Sequence, residues 1–302
     1  MTLNEFLRNL NSHPRFGLGC WPLCGKGWKG ATSESAINLI IRAIELGVVF
    51  FDTAPVYGFG LSEKLLGEAL DRTPSSISNK IVVATKCGLK IDNGRVTHDL
   101  SYDFILRDCE ESLKRLNRES IELYQLHWPD PQTPLDESFK ALTRLLDEGM
   151  VKKIGVCNFD IPRLEETLKL GPVCSSQNRY NFLQQESEEL IDFCYDNRID
   201  FIAYSPLAQG LLTPAVNEEY RFAKNDIRRL NPLFDINGNI CTKPDDTKGT
   251  NFTQCLKKRN SLGDNTVKEA LKFVTNNKKI SRVLVGTSRT KHLEEILNYG
   301  FI

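Results

Sequence analysis

Three short apolar runs in this chain each stop at a reactive polar side chain. Val48 to Phe51 run into Asp52, with Tyr57 close behind; Ile81 to Thr85 lead to Lys86; and Leu123 to Leu126 lead to His127. A run of β-branched and aromatic residues that ends abruptly at an ionisable group reads as a buried parallel strand whose carboxyl end opens into a pocket. A carboxylate, a phenol, an ammonium and an imidazole are thereby aimed at one place, a complementary set for moving a proton. Singly, each has a plainer use: a tyrosine after a strand packs its ring, and a strand-end aspartate caps a helix. The four together point to catalysis.

The elements that must hold these groups follow from hydrophobic period. Strands are predicted at Phe16–Cys20, up to Phe51, Ile81–Thr85, Ile121–Leu126, Lys153–Cys157, Cys174–Gln177, Asp200–Tyr204 and Arg282–Val285. Helical spacing fills the intervals at Ser33–Leu46, Ser62–Leu70, Tyr102–Leu116, Leu135–Glu148, Pro162–Leu170, Glu186–Asn197, Thr266–Thr275 and Thr290–Leu297. Ser33 is placed to cap the first helix and Gly47 to stop it. Residues 213–264 are polar, rich in Asn, Asp, Lys and Pro, and read as a long loop insertion between the seventh strand and its helix. Regular alternation over this length predicts an α/β fold, a (β/α)8 TIM barrel forming a single domain over residues 1–302, with a doubly wound open sheet as the alternative. The barrel is preferred on strand count, and because reactive residues follow many different strands rather than one crevice. Gly58 and Gly60 follow Tyr57, but two loop glycines are weak grounds for a phosphate site.

Composition narrows the class. The 302 residues carry 39 Lys and Arg against 39 Asp and Glu, so no overall field draws the chain to nucleic acid or an anionic membrane. No apolar run approaches the roughly 18 residues that span a bilayer, and the N-terminus lacks the apolar core of a signal peptide, so the protein is expected to be cytoplasmic. Nine cysteines are scattered without paired Cys-x-x-Cys spacing, which predicts free thiols and no metal.

The segments FDTAPVYGFGLSEKLLGEAL, ATKCG, YQLHWPD, GVCNF, QNRYN, AYSPLAQGLLT and VGTSRTKHLEE, in this order, resemble the aldo-keto reductase superfamily from about Gly17 to Glu295. The YGFGLSE loop and the HWPD form look most like its bacterial-type members. The resemblance implies an NADP(H)-dependent oxidoreductase that reduces an aldehyde or ketone to an alcohol. Tyr57 would be the general acid, Lys86 its activator, Asp52 the partner of Lys86, and His127 the group that orients the carbonyl. A phenol begins near pKa 10, so bringing it within reach of neutrality needs about 4 kcal/mol of differential stabilisation, which a neighbouring ammonium in a dry pocket would supply.

The hydride must come from a cofactor, because no side chain supplies one. By the same resemblance Asn158 and Gln177 would hold the nicotinamide carboxamide and Tyr204 would stack on the ring. Ser205, Leu207, Gln209 and Leu211 would follow the pyrophosphate, and Gly286, Thr287, Ser288, Arg289, Lys291, His292 and Glu295 would grip the adenosine end. Cations at that end favour a 2′-phosphate, hence NADP(H). Trp21, Phe59 and Trp128 would line the substrate pocket, whose aromatic walls exclude little.

Three departures from the family pattern stand out. Cys157 replaces a serine and weakens one expected hydrogen bond to the carboxamide. Ile296 stands where an asparagine commonly meets adenine. The chain stops at Ile302, before the C-terminal segment that covers the substrate in many relatives. The pocket is therefore expected to be open, or closed by the polar insertion. The partner is expected to be a small carbonyl compound, and the protein a monomer or weak homo-oligomer. A sugar or alcohol dehydrogenase is the alternative enzyme, and a cofactor-sensing regulatory subunit the alternative of another class; an intact tetrad argues against the latter.

Overall fold

A computed structural model describes residues 13–24, 32–92, 95–217, 219–220 and 252–299. The strands are β1 (Phe16–Gly19), β2 (Phe50–Asp52), β3 (Val82–Cys87), β4 (Leu89–Asp92), β5 (Arg95–His98), β6 (Leu123–Leu126), β7 (Ile154–Cys157), β8 (Ser175–Arg179), β9 (Asp200–Tyr204) and β10 (Ile280–Val285). The longer helices are α1 (Ser33–Glu45), α2 (Leu61–Asp71), α3 (Tyr102–Leu116), α4 (Leu135–Asp147), α5 (Ile161–Leu170), α6 (Glu188–Asp196), α7 (Phe252–Asn260), α8 (Thr266–Asn276) and α9 (Thr290–Leu297). Single helical turns occur at Trp21–Cys24, Ser75–Ser78 and Ala208–Gly210.

Eight of the strands close a parallel barrel in the order β1-β10-β9-β8-β7-β6-β3-β2. The (β/α)8 expectation is met. Closure rests on β1, which pairs Leu18 with Phe51 on one side and Phe16 with Val283 on the other. All six residues of β3 are buried, as a strand covered on both faces requires. Outside the barrel, the antiparallel hairpin β4–β5 continues directly from β3 and pairs Leu89 with His98. Hydrophobic period does not find it, although the sequence carries Asn93-Gly94 between the two strands, a strong hairpin signal.

Helix α1 shows how the local chemistry sets boundaries. Its N-cap is Thr32, one residue before the expected Ser33. Thr32 Oγ1 accepts from the Ser35 amide at 3.2 Å, and Ser35 Oγ accepts from the Thr32 amide at 2.9 Å, so two otherwise orphaned donors are satisfied together. The expected stop does hold. Gly47 adopts φ 84°, its amide donates to Ile44 O, and the Val48 amide donates to Ala43 O.

Much of the polar 213–264 stretch, at residue 218 and from 221 to 251, lies outside the described residues. Its last part is helical: α7 buries Phe252, Cys255 and Leu256, an i, i+3, i+4 stripe, in a small apolar cluster with Leu183, Leu211, Leu212, Val216 and Ala270. The lysines and asparagine around that stripe hide it in the sequence. No helix among the described residues is long and apolar enough to cross a membrane.

Candidate active site

The carboxyl ends of β2, β3 and β6 deliver the three ionisable groups to one end of the barrel, where active sites of this architecture lie. Lys86 Nζ donates to Asp52 Oδ1 at 2.6 Å and to the Thr53 carbonyl at 2.8 Å, and lies 3.3 Å from the Tyr57 hydroxyl. Lys86 is wholly buried and Asp52 nearly so. Neither charge is tolerable there alone, and their pairing answers the desolvation cost of both.

Tyr57 arrives from the loop before α2, not from a strand. Its amide donates to Ala54 O, and Gly58 (φ 61°), Phe59 (φ 58°) and Gly60 (φ 85°) turn the chain left-handed behind it. A Cβ on Gly58 would sit 2.5 Å from Cys24 Cβ, so only glycine permits this close approach. The Tyr57 ring stacks on Trp21 at 5.8 Å and meets His127 edge-on at 5.9 Å.

Burial pushes the Tyr57 hydroxyl above its ordinary pKa; Lys86 opposes this without overcoming it, and Asp52 adds to the rise. Lys86 thus acts on the phenol in the expected direction, lowering its pKa, but at 3.3 Å and with its charge shared with Asp52 the ammonium does not outweigh desolvation. Burial also works against the Lys86 charge, but Asp52 and then Tyr57 hold the ammonium above its usual value. His127 is held well below the usual imidazole range by burial, then by Lys86 and His98. At neutral pH the site thus presents a protonated phenol, a charged ammonium and a neutral imidazole.

A second tier of polar groups lies beneath the tetrad. Gln177 Nε2 donates to Asp52 Oδ2 at 2.8 Å and lies 3.3 Å from Gln125 Oε1. Cys157 Sγ lies 3.6 Å from the same Gln125 oxygen, so its thiol is turned into the barrel. Gln177, expected only as a cofactor contact, is thus also tied to the tetrad. Gln125 is absent from the sequence-based candidates. Its signal was a polar residue in the otherwise apolar run LYQL.

Around the mouth, Tyr204 at the end of β9 donates its hydroxyl to Asn158 Oδ1 at 2.8 Å, and Asn158 Nδ2 donates to the His127 carbonyl at 2.9 Å. Asn158 itself has φ 62°. Past Tyr204 the chain forms a tight turn in which Ser205 (φ 54°), Ala208 (φ 46°) and Gln209 (φ 54°) are left-handed without being glycine. Such strain costs roughly 1–2 kcal/mol per residue, which the surrounding packing must offset. Leu207 is half-buried beside this turn, and Leu211 is wholly buried.

At the end of β10, Gly286 packs against Pro22, where a Cβ would come within 2.8 Å of the proline ring. Thr287 is buried and its hydroxyl accepts from the Arg289 amide at 3.2 Å, with Ser288 half-buried beside it. Arg289, Lys291, His292 and Glu295 are exposed, with Lys291 and Glu295 3.9 Å apart. Ile296, by contrast, is turned into the core. Phe59 and Trp128 are exposed large apolar side chains at 48% and 39%, each adjoining a tetrad member or its loop in the chain, while Trp21 is stacked on Tyr57 of the tetrad. The described residues hold no cluster of three metal-ligating side chains.

A sequence profile described as the aldo/keto reductase family matches residues 15–301. The aldo-keto reductase YhdN of Bacillus subtilis is 36% identical over 221 residues, 73% of this chain and 66% of its own length. The NADH-specific methylglyoxal reductase of Escherichia coli is 35% identical over 68% of this chain and 67% of its own. The chain thus spans about two thirds of the curated relatives it matches. Among solved structures, the glycerol dehydrogenase of Gluconobacter oxydans superposes with a TM-score of 0.79 at 31% identity, covering 93% of this chain and 85% of its own. An aldo-keto reductase of Bacillus halodurans in its holo form superposes at 0.72 with 24% identity, covering 94% and 86%, and supports the fold alone.

Proposed function

The chain belongs to the aldo/keto reductase family, and from that premise we propose that it is a carbonyl reductase using NADP(H), with an aldehyde favoured over a ketone as substrate. The observation that carries this reading is the contact chain Asp52–Lys86–Tyr57, with Lys86 at 2.6 Å from the carboxylate and 3.3 Å from the phenol.

The bound cofactor would supply the hydride; the proton is the protein's part. Tyr57 gives its hydroxyl proton to the carbonyl oxygen as negative charge develops there. Lys86 stabilises the phenolate left behind, and Asp52 keeps Lys86 from drifting off the phenol. His127, neutral and edge-on to Tyr57, orients the carbonyl without competing as an acid. Trp21 fixes the ring plane. A nicotinamide fits the residues opposite: Asn158 and Gln177 offer amides to its carboxamide, and Tyr204 offers a half-buried ring. The left-handed turn from Ser205 to Gln209 suits a backbone drawn close to a pyrophosphate. Arg289, Lys291 and His292 give the adenosine end a positive face for a 2′-phosphate. A reducing, cytoplasmic setting fits Cys20, Cys87, Cys109, Cys157, Cys174 and Cys194, which stand as free thiols.

The name of the Escherichia coli relative, NADH-specific, favours a second reading in which NADH is preferred. Tryptophan-fluorescence titration with NADPH and with NADH separates the two. Selective NADPH binding supports the first reading, and Arg289→Ala should then weaken NADPH more than NADH. Preference for NADH favours the second, and binding of neither overturns the proposal.

A further inference from the structure

Arg179 closes β8 at the same end of the barrel as the tetrad, paired in register with Tyr204 of β9. Its guanidinium carbon lies 5.8 Å from the centroid of the Tyr204 ring, a cation–π distance. The side chain is half-buried, and among the described residues it pairs with no carboxylate within salt-bridge distance. An arginine at a barrel mouth ordinarily meets an acidic neighbour or reaches into water. This one instead lies within cation–π distance of the Tyr204 ring and within reach of its hydroxyl, and Tyr204 is itself pinned, through that hydroxyl, to Asn158 and thence to the His127 carbonyl.

We propose that Arg179 is a fixed positive charge behind the nicotinamide site, and that it biases this protein toward the reduced cofactor. The inference rests on the reading of Tyr204 as the ring that nicotinamide stacks upon. An oxidised nicotinamide carries a positive charge and a reduced one is neutral. A cation held on the stacking ring therefore repels the oxidised form and leaves the reduced form nearly unaffected. Tyr204 transmits the position but does not screen it, because its ring carries no charge to offset the guanidinium. Lys86 adds a second positive charge on the tetrad side, yet it is neutralised by Asp52 at 2.6 Å, whereas Arg179 has no such partner among the described residues. Between unit charges separated by a stacked ring in a partly solvated site, such a repulsion corresponds to a several-fold change in binding. Arg179 is thus placed as a positioning residue that discriminates the two cofactor forms in binding and does not act on the proton.

The test is a fluorescence titration of the unaltered protein, Arg179→Gln and Arg179→Lys with NADPH and with NADP+ separately. The unaltered protein should bind NADPH more tightly than NADP+. Arg179→Gln should narrow that ratio by about threefold to tenfold, chiefly through NADP+. Arg179→Lys keeps the charge and should keep most of the ratio, which a merely structural arginine would not predict. Should the glutamine variant fail to fold, Arg179→Met gives the same comparison without a polar group to bury. Equal loss of affinity for both forms, with the ratio unmoved, would overturn the proposal and make Arg179 a contact to a part the two forms share. Failure of the unaltered protein to bind either form would instead sink the cofactor reading on which it rests.

Discussion

At the scale of single residues, proton transfer depends on a phenol that is still protonated when substrate arrives. Tyr57→Phe keeps the ring, its stacking on Trp21 and the cofactor face, and removes only the proton. Carbonyl reduction should fall by roughly 10²- to 10⁴-fold while NADPH affinity changes little, measured by steady-state rates beside a binding titration; near-normal turnover would exclude Tyr57 as the acid. The direction of the pKa shifts sets the pH profile. Tyr57 is needed protonated and burial holds its pKa above the ordinary value, so kcat/KM for reduction should stay level through neutral pH and fall only in the alkaline range. His127 is needed neutral and is held well below its usual range, so no acidic limb should appear near pH 6.5. A limb near neutrality that Tyr57→Phe abolishes would show that the phenol is depressed in the working complex after all. Asp52, Lys86 and His127 were legible in the sequence because an ionisable side chain directly after a β-branched run is costly to bury unless a partner or a reaction at the strand end requires it. The direction of the Tyr57 shift was not, because it turns on how far desolvation outruns an ammonium 3.3 Å away, a contest no spacing reveals.

At the scale of elements, a buried electrostatic strut joins the Tyr57 loop to the strand of Lys86. Glu63, in the first turn of α2, accepts from Thr85 Oγ1 at 2.7 Å and from Arg115 Nε of α3 at 2.6 Å. Thr85 immediately precedes Lys86, so the helix that follows Tyr57 is pinned beside the lysine that must reach it. Asp108 of α3 stands 3.9 Å from Arg115, and its Oδ2 is buried with no hydrogen-bond partner. Burial, then Glu63, raises its pKa to about 7, against the pull of Arg115 and the Gly88 amide. A carboxyl with a raised folded-state pKa binds a proton that the unfolded chain releases near pH 4. Its contribution is therefore complete below that pH and is lost as pH rises toward 7. Asp108→Asn should accordingly stabilise the fold by about 3–4 kcal/mol at pH 8 and by only about 1–2 kcal/mol at pH 5, read by urea denaturation at the two pH values. Equal effects at both would mean that Asp108 is ionised throughout. The barrel strands and their helices were legible because their periods are clean over many residues. The hairpin β4–β5 escapes such a reading because its described side chains are largely exposed, Ile91 and Val96 included, and form no buried apolar run, and α7 because its three apolar residues sit among charged ones.

At the scale of the whole molecule, charge is balanced and no long-range field does the recognising, so selectivity rests on how a ligand spans the barrel mouth. The cofactor residues proposed lie at the ends of β7, β8, β9 and β10, while the tetrad lies on β2, β3 and β6 with the Tyr57 loop between. β1 is the seam between these arcs, bonded to β10 on one side and β2 on the other. A cofactor that touches both arcs bridges the seam from outside and should stabilise the closed barrel as a unit. At a concentration about 100 times its Kd, a ligand specific for the folded state adds about 2.7 kcal/mol, which for a chain of this size corresponds to a rise in Tm of roughly 4–6 °C. NADPH should give that shift in a single cooperative transition. NADH at the same concentration should give markedly less if the proposed role of Arg289, Lys291 and His292 toward the 2′-phosphate holds, since NADH lacks that phosphate. If instead two transitions separated, with only one moving on ligand addition, the two arcs would be unfolding independently and the bridging role would be wrong. Equal shifts from the two cofactors would leave the bridge standing and remove the selectivity from the cationic start of α9.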